Sequence, residues 1–574
     1  MDPLLDWLVQ LLIAWILLSG LDDLYILVAY LVRRGEINAS APFPPDGAVQ
    51  AHPVAIWVPL WHEDAVIERM LERNLSALRH TQAHFFVGAY PNDPATLKAV
   101  RGVAHRHSNV HLCVCPHDGP TSKADCLNWV NQHMVLQERK SGVHFHLVLT
   151  HDAEDIIHPD SIGWAVHLSR THGMIQTPVL ALPTPLWRIT HGIYCDDFAY
   201  HHIVDLPTRC SLGGFVPSAG VGTSYRRDAL QKLAEAEANR VFAPECLTED
   251  YENGLRLREL GVSQIFTPVR FRGGQPVATR EYFPQDFRSA WKQRSRWVTG
   301  IAFQGWQRHG WGKGGQAYWL WRDRKGLVGN PLSIAANLLL AYGILCGWRA
   351  PVPNAVLATT AVIAAVHLFG RAWASARVYG WVFALGTPIR VVAGNFLNTA
   401  ATATAAYRFA RSRILNQPLK WVKTAHSYPT LAALAGHNRP LGEILVSEGE
   451  IASDAVAHAL KTCPPGRRLG EHLVAIGAAG WSAVYRALGI QNNLPFLEVN
   501  PRGVSRRLAR SLPAQLARSR RVLPLCLHEG AVEVVTPELP DDELWREVGA
   551  YFRAPVNFRL VTPVDFDDLC DELL

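Results

Sequence analysis

Three carboxylates, Asp152, Glu154 and Asp155, follow directly on the apolar run Leu147, Val148 and Leu149. A strand that empties into clustered acids presents charge at the carboxyl edge of a sheet, where α/β enzymes bind ligands. If the chain stays extended there, alternation sets Asp152 and Glu154 on one side, within reach of one hard cation. Mg2+ or Mn2+ bridging a substrate diphosphate is the chemistry such a pair serves. An acidic turn capping the next helix is the plainer reading of the same residues. A second acidic group, Thr248, Glu249 and Asp250, opens a predicted helix with Thr248 as its cap. Gln293, Arg296 and Trp297 lie in another predicted helix, whose pattern also fits an interfacial aromatic belt. Lys123 starts a third, where a lysine meets either phosphate or solvent. His105, His107, His111, Cys113, Cys115 and His117 are dense enough to invite a zinc reading. Their C-x-C spacing is not that of structural zinc sites, so ordinary packing is expected.

These residues need a scaffold, and the apolar pattern supplies one. Strands are predicted at 54–60, 85–90, 110–115 and 144–149, with helices between them. Alternating strands and helices imply an α/β domain with a mostly parallel sheet. Glu63, Asp93 and Asp152 then fall at the carboxyl ends of strands. Residues 218–227 read as a Gly-rich turn that admits close backbone approach.

The flanks read as membrane. Residues 4–21 and 24–32 are apolar around Asp22 and Asp23, and Arg33 and Arg34 follow. The start Met1, Asp2, Pro3 lacks the basic residues of a cleaved signal, so an anchor with its N-terminus outside is expected. A linker is predicted at 41–53. Residues 327–348 and 351–369 predict a hairpin that ends at Arg371 and Arg377. The apolar stretch 378–406, broken by Gly386, Pro388 and Arg390, predicts an interfacial or re-entrant element rather than a crossing. The net charge of +6 over 574 residues and the 19 tryptophans fit that topology, not nucleic-acid binding. Ten cysteines without a C-x-x-C pair fit a reduced compartment.

In order and spacing the motifs resemble the inverting, membrane-anchored family-two glycosyltransferases, the group of the cellulose and hyaluronan synthases. That family carries an early aspartate for the nucleotide base, a D-x-D metal site, T-E-D and Q-x-x-R-W. Here these match Asp93, Asp152 with Glu154, Thr248 to Asp250, and Gln293 with Arg296 and Trp297. The metal motif departs from the pattern in carrying Glu154 at its third position. The resemblance implies a GT-A-like fold and a UDP-sugar donor, with an N-acetylhexosamine as the sugar. Glu63, Asp93, Lys123 and Asp152 would hold the donor, and Asp152 and Glu154 a Mg2+ or Mn2+. Asp250 would take the acceptor's proton, with Glu249 beside it. Arg296 would meet phosphate, and Trp297 would stack on a glycan or lipid-linked acceptor.

The tail repeats itself: LGEILVSEG begins at Leu441 and LGEHLVAIG at Leu469, 28 positions on. Two copies of a short unit predict a pseudo-symmetric helical pair. The repeat resembles the cyclic di-GMP-binding MshEN domain of type II secretion ATPases, whose unit starts R-L-G-x-x-L and ends in Gln. The second copy fits through Arg467, Arg468, Leu469, Gly470, Leu473, Gly477 and Gln491. The first offers Leu441, Gly442, Leu445 and Gly449, but Pro440 stands at the Arg position and Cys463 at the Gln position, leaving Arg439 as a substitute. Residues 495–574 resemble the rest of that domain, and no P-loop is present. The implied ligand, cyclic di-GMP, would be an allosteric activator, with the tail docking near 293–306.

The predicted domains are thus an anchor and linker (1–45), a glycosyltransferase (46–315), a membrane hairpin with interfacial helices (316–425), the repeat (426–494) and the remainder (495–574). The combination resembles bacterial inner-membrane proteins of the phage adsorption protein B type. That implies exopolysaccharide synthesis, cytoplasmic catalytic and C-terminal domains, and an outer-membrane export or receptor partner. Two rivals remain: a catalytically idle receptor scaffold, and a single-addition lipid-sugar transferase.

Overall fold

The computed structural model describes residues 3–44, 52–78, 80, 82–348, 350–417, 439–492, 494–498, 504–528 and 530–574. Residues 45–51 of the predicted linker and the predicted 425/426 boundary lie outside them. The chain forms two units, residues 1–70 with 79–428, and residues 71–78 with 429–574.

The first unit is built on strands β1 (Val54–Pro59), β2 (Ala83–Ala89), β3 (Val110–Val114), β4 (Leu147–Thr150), β5 (Met174–Gln176), β6 (Val179–Ala181), β7 (Thr223–Arg226) and β8 (Gln264–Phe266). Among the described residues seven of them make one sheet in the order β3-β2-β1-β4-β7-β5-β8. β1 runs parallel to β2 and β4, with Val54 opposite both Ala83 and Leu147. β7 lies antiparallel between β4 and β5. The Gly-rich stretch is therefore a turn only to Gly222; Thr223 onward is a strand. The sheet is buried on both faces, which is why its strands read as unbroken apolar runs. Val54, Ile56, Trp57 and Val58 of β1 are all fully buried, and each such side chain contributes roughly 1.5–3 kcal/mol. Two short ladders flank the sheet. β9 (Phe271–Arg272) pairs with β10 (Gln275–Pro276), and β11 (Thr279–Glu281) runs parallel to β6.

Among the described residues three helices are long and apolar enough to cross a membrane: Asp6–Ser40, Gly326–Cys346 and Asn354–Tyr379. The first is part of one unbroken helix, Pro3–Ser40, where the sequence suggested two apolar pieces parted by acids. Asp22 and Asp23 do not break it because they are paired. Asp22 accepts hydrogen bonds from the Tyr318 hydroxyl at 2.6 Å and Lys325 Nζ at 2.8 Å, and it pairs with Arg322. Asp23 meets Lys325 Nζ at 2.6 Å. Lys325 stands one residue ahead of Gly326–Cys346, so both acids sit level with the start of that apolar helix. Beyond them, Ile26, Tyr30 and Ile37 pack with Ala199, Tyr200 and Phe215 of the globular domain. Thirty-five residues span roughly 52 Å at 1.5 Å each, well over the ~30 Å of hydrocarbon, and the surplus buttresses the domain.

After Gly380, which has φ 85°, the chain forms the short helix Trp381–Ala384 and then Thr387–Ile414, with Pro388 in its first turn. This last helix lies along Phe287–Val298 and Gly326–Cys346. It buries Arg390 and, although 28 residues long, is not among the described helices apolar enough to cross a membrane.

In the second unit each repeat copy is a helix pair. Leu441–Ser447 precedes Ser453–Thr462, and Leu469–Ala475 precedes Trp481–Asn492. A Cβ on Gly442 would lie 2.5 Å from Val456 Cγ1, and one on Gly470 would lie 2.8 Å from Val484 Cγ1. The two glycines thus serve the same close helix contact in each copy. Leu445 and Leu473, which the resemblance sets among the nucleotide-binding residues, are fully buried in the core of the repeat. Beyond the repeat, β12 (Leu523–His528), β13 (Ala531–Thr536) and β14 (Val556–Leu560) form a small mixed sheet.

Candidate active site

One cavity opens at the carboxyl edge of the large sheet. Trp61 and Glu63 reach it from the end of β1, Tyr90 from β2, and Asp152 and Glu154 from β4. The helix Lys123–Ser141, capped by Ser122, presents Lys123. Glu249 and Asp250 come from the start of Glu249–Glu259, Glu281 from β11, and Gln293, Arg296 and Trp297 from Phe287–Val298.

Nearly every residue singled out in the transferase sequence therefore meets the others here. Lys123 is not a solvated helix-start lysine: its Nζ lies 2.6 Å from Asp152 Oδ1 in a mostly buried pair. Of the two candidates beside Asp152, Glu154 lines the cavity, whereas Asp155 turns into the protein. Asp155 Oδ2 accepts the Asp152 N–H at 2.9 Å and lies 2.8 Å from His151 Nδ1, bracing the loop from behind.

Asp93 is placed otherwise than the sequence suggested. It is 1% exposed and is not among the described residues that line the cavity. It caps the helix Pro94–Arg106, accepting N–H bonds from Thr96 at 3.3 Å and His62 at 2.7 Å. Burial pushes its carboxyl up, but the bonds from Thr96 and His62 outweigh this and hold it below the usual range. Helix capping, not an open binding position, explains an acid just after that strand. Thr248 stands at a cap position but makes no capping bond. Its side chain fills the space over Gly300, where a Cβ would lie 2.3 Å from Thr248 Oγ1.

The sequence reading missed Trp61, Tyr90 and Glu281. The Trp61 and Tyr90 rings meet edge to face at 5.5 Å. Thr121 donates to Asp125 Oδ2, so the Tyr90 hydroxyl, 2.7 Å away, donates to Thr121 Oγ1. Trp61 directly follows a predicted strand and Tyr90 ends one, a signal that was present but spent on the acids. Glu281 ends a strand too short to announce itself.

The charges are unequal. Glu63, Asp152, Glu154, Glu249, Asp250 and Glu281 face Lys123 and Arg296. Burial, then the charge of Asp250, pushes Glu249 up to about 7 against the pull of Lys123. Burial likewise raises Asp250, opposed by Lys123. Burial would lower Lys123, but Asp152 above all, then Glu249 and Asp250, hold it above the ordinary lysine range. Gly220, at φ 79°, leaves room for Asp250: a Cβ would lie 2.2 Å from Asp250 Oδ2.

An excess of carboxylates in a partly buried cleft fits a divalent cation. Among the described residues no three His, Cys, Asp or Glu side chains converge on a metal position. The histidine and cysteine cluster disperses instead. His111 stacks on Phe86 and His84, Cys113 joins the core, and Cys115 lies 3.9 Å from Cys126.

Residues 52–300 match the profile described as glycosyltransferase like family 2, and residues 492–574 match the MshEN domain. The MshEN match thus begins C-terminal to the repeat at 441–491, on which the nucleotide-binding residues are expected. A family-two glycosyltransferase domain carried with membrane-length helices and an MshEN domain is the class that the fold and site define. The chain belongs to the bacteriophage adsorption protein B family. It is 32% identical to Bacteriophage adsorption protein B of Escherichia coli K12, covering 97% of this chain and 82% of the relative. Bacteriophage N4 adsorption protein B of Escherichia coli O157:H7 matches with the same figures, 32%, 97% and 82%. Among solved structures, the mannosyltransferase PcManGT from Pyrobaculum calidifontis with GDP-Man and Mn2+ is 18% identical, covering 66% of this chain and 98% of that chain at a TM-score of 0.39.

Proposed function

We propose that the first unit transfers a sugar from a nucleoside diphosphate donor to a hydroxyl on a glycan or lipid-linked acceptor, with inversion, at the cytoplasmic face of the inner membrane. A UDP-N-acetylhexosamine is the donor class that the resemblance favours, and an exopolysaccharide the product. The observation that carries this reading is the shared cavity. It brings the mostly buried Lys123–Asp152 pair together with Glu249, Asp250, Arg296 and Trp297.

In that reading Lys123 and Arg296 offset negative charge gathering on the departing diphosphate. Asp152 and Glu154 would hold a Mg2+ or Mn2+, which supplies further charge stabilisation of the leaving group. Asp250 accepts the acceptor's proton at its carboxylate, and burial has already moved its affinity for protons toward neutral pH. The Trp61 and Tyr90 rings suit a planar base, and Trp297 the face of a sugar ring. One displacement inverts the anomeric carbon, so no covalent sugar intermediate is needed.

The second unit is proposed to bind cyclic di-GMP as activator. Arg467 and Arg468 are exposed and suit phosphate. Arg439, by contrast, is engaged with Glu443 at 3.1 Å and Ser447 at 2.9 Å. Gln491 donates to the Arg439 carbonyl at 2.6 Å. Membrane crossing by the apolar helices and an outer-membrane export or receptor partner complete the proposal. Purified full-length protein in nanodiscs, given a panel of nucleotide sugars with and without cyclic di-GMP, tests it. Release of nucleoside diphosphate with one donor supports transfer; inertness to every donor leaves the receptor-scaffold reading.

A further inference from the structure

Two consecutive carboxylates on the helix Ile189–Tyr200 face different partners, as the roughly 100° step of a helix requires. Asp196 grips Arg390 through Nε at 2.7 Å and Nη2 at 2.9 Å, and accepts from the Ser375 hydroxyl at 2.7 Å. Asp197 holds two other arginines. Its Oδ2 lies 2.8 Å from Arg294 Nη2, and its Oδ1 pairs with Arg371 of Asn354–Tyr379. Arg294 belongs to Phe287–Val298, the helix that shows Gln293, Arg296 and Trp297 to the cavity, yet it is not among the described lining residues. Outside the lining it also donates to Asn398 Oδ1 at 2.6 Å and lies 4.4 Å over the Tyr194 ring, which Trp297 meets at 6.1 Å. Trp291 of the same helix donates to the Ala400 carbonyl at 2.9 Å.

We infer that Asp197 is a positioning residue for sugar transfer: through Arg294 it fixes the helix carrying Gln293, Arg296 and Trp297, and through Arg371 it ties that helix to a membrane-length helix. The inference rests on the transferase reading. Burial alone would raise the Asp197 carboxyl, but Arg371 and then Arg294 hold it below the usual range, so it stays ionised. Glu63, Lys123 and Asp152 sit on strand ends and on the start of another helix, and none of them depends on Phe287–Val298. Loss of Asp197 therefore moves Trp297 and Arg296, whose charge is needed as the diphosphate departs, and leaves Glu63, Lys123 and Asp152, which hold the donor, in place. A misplacement on the order of 1 Å costs about a hundredfold in rate.

The test uses full-length protein in nanodiscs with Asp197→Asn, Arg294→Gln, the double variant, and Arg294→Lys, which keeps a cation toward Asp197. Transfer rate at saturating donor and donor KM are measured, together with hydrogen exchange across 287–298. The expected result is a kcat lowered about ten- to a hundredfold in either single variant, with donor KM within about twofold. The double variant is no worse than the poorer single, Arg294→Lys recovers most of the rate, and exchange rises in 287–298 with Asp197→Asn. If the two losses multiply, or donor KM rises in step with the loss of kcat, or exchange in 287–298 is unchanged, the inference is overturned. Should Asp197→Asn fail to fold, the two Arg294 variants decide alone. A wild-type protein that turns over no donor refutes the transferase reading instead, and hydrogen exchange then still decides whether Asp197 fixes the helix.

Discussion

Replacing Gly220 by alanine separates the account of Asp250 from a merely structural one. Gly220 has φ 79°, and an added Cβ would stand 2.2 Å from Asp250 Oδ2 and 3.2 Å from its Cγ. An ordinary carbon–oxygen contact is about 3.3 Å, so the carboxylate must retreat by about 1 Å. The backbone adds a left-handed strain of roughly 1–2 kcal/mol. The obstructing atom is the end of a side chain, so the fold yields where the proposed base sits. A shift on the order of 1 Å at a reacting group costs about a hundredfold, or about 2.7 kcal/mol of barrier. Gly220→Ala should therefore lose about a hundredfold in kcat while unfolding only roughly 1–2 kcal/mol more easily. Nucleoside diphosphate release at saturating donor and a urea melt measure the two. A variant that keeps its rate within about threefold of wild type while bearing the expected strain would show that Asp250 need not stand where it does.

Burial raises Asp250, and raises Glu249 to about 7. A base works only when deprotonated, so kcat should be full above the raised value and fall as pH drops through it. A rate profile from pH 5 to 9 should show its acid limb above the ordinary carboxylate range, and a limb at ordinary carboxylate pH contradicts this. Chelation should abolish transfer and Mn2+ or Mg2+ restore it, and turnover that survives exhaustive chelation argues against Asp152 and Glu154 as metal holders. Asp196→Ala leaves Arg390 buried without its carboxylate, a loss of about 3–5 kcal/mol. A thermal melt should show strong destabilisation, and an unchanged melting temperature contradicts the pairing. Arg468→Ala should erase the response to cyclic di-GMP while sparing basal turnover, and equal loss of both would refute separate regulation.

The sheet was legible because strands buried on two faces spell continuous apolar runs, and each predicted strand lies within three residues of an observed one. The acids after β4 and in 248–250 were legible because charge at a strand or helix end has few structural uses. Asp93 was misplaced because one of those uses, helix capping, writes the same letter in the same position. The burial of Leu445 and Leu473 was not legible because a motif names the residues that recur without saying which of them face inward. The continuity of Pro3–Ser40 was hidden since the partners of Asp22 and Asp23 lie some three hundred positions away, at Arg322 and Lys325. Strand β7 was hidden because a short antiparallel insertion beside two glycines looks like the turn that precedes it.

The most direct test compares wild type with Asp250→Asn in nanodiscs, following nucleoside diphosphate release across the donor panel while donor binding is measured on the same samples. The account predicts that wild type turns over one donor class, and that Asp250→Asn binds that donor but loses about a hundredfold or more in rate. An Asp250→Asn protein that transfers sugar as fast as wild type would contradict it.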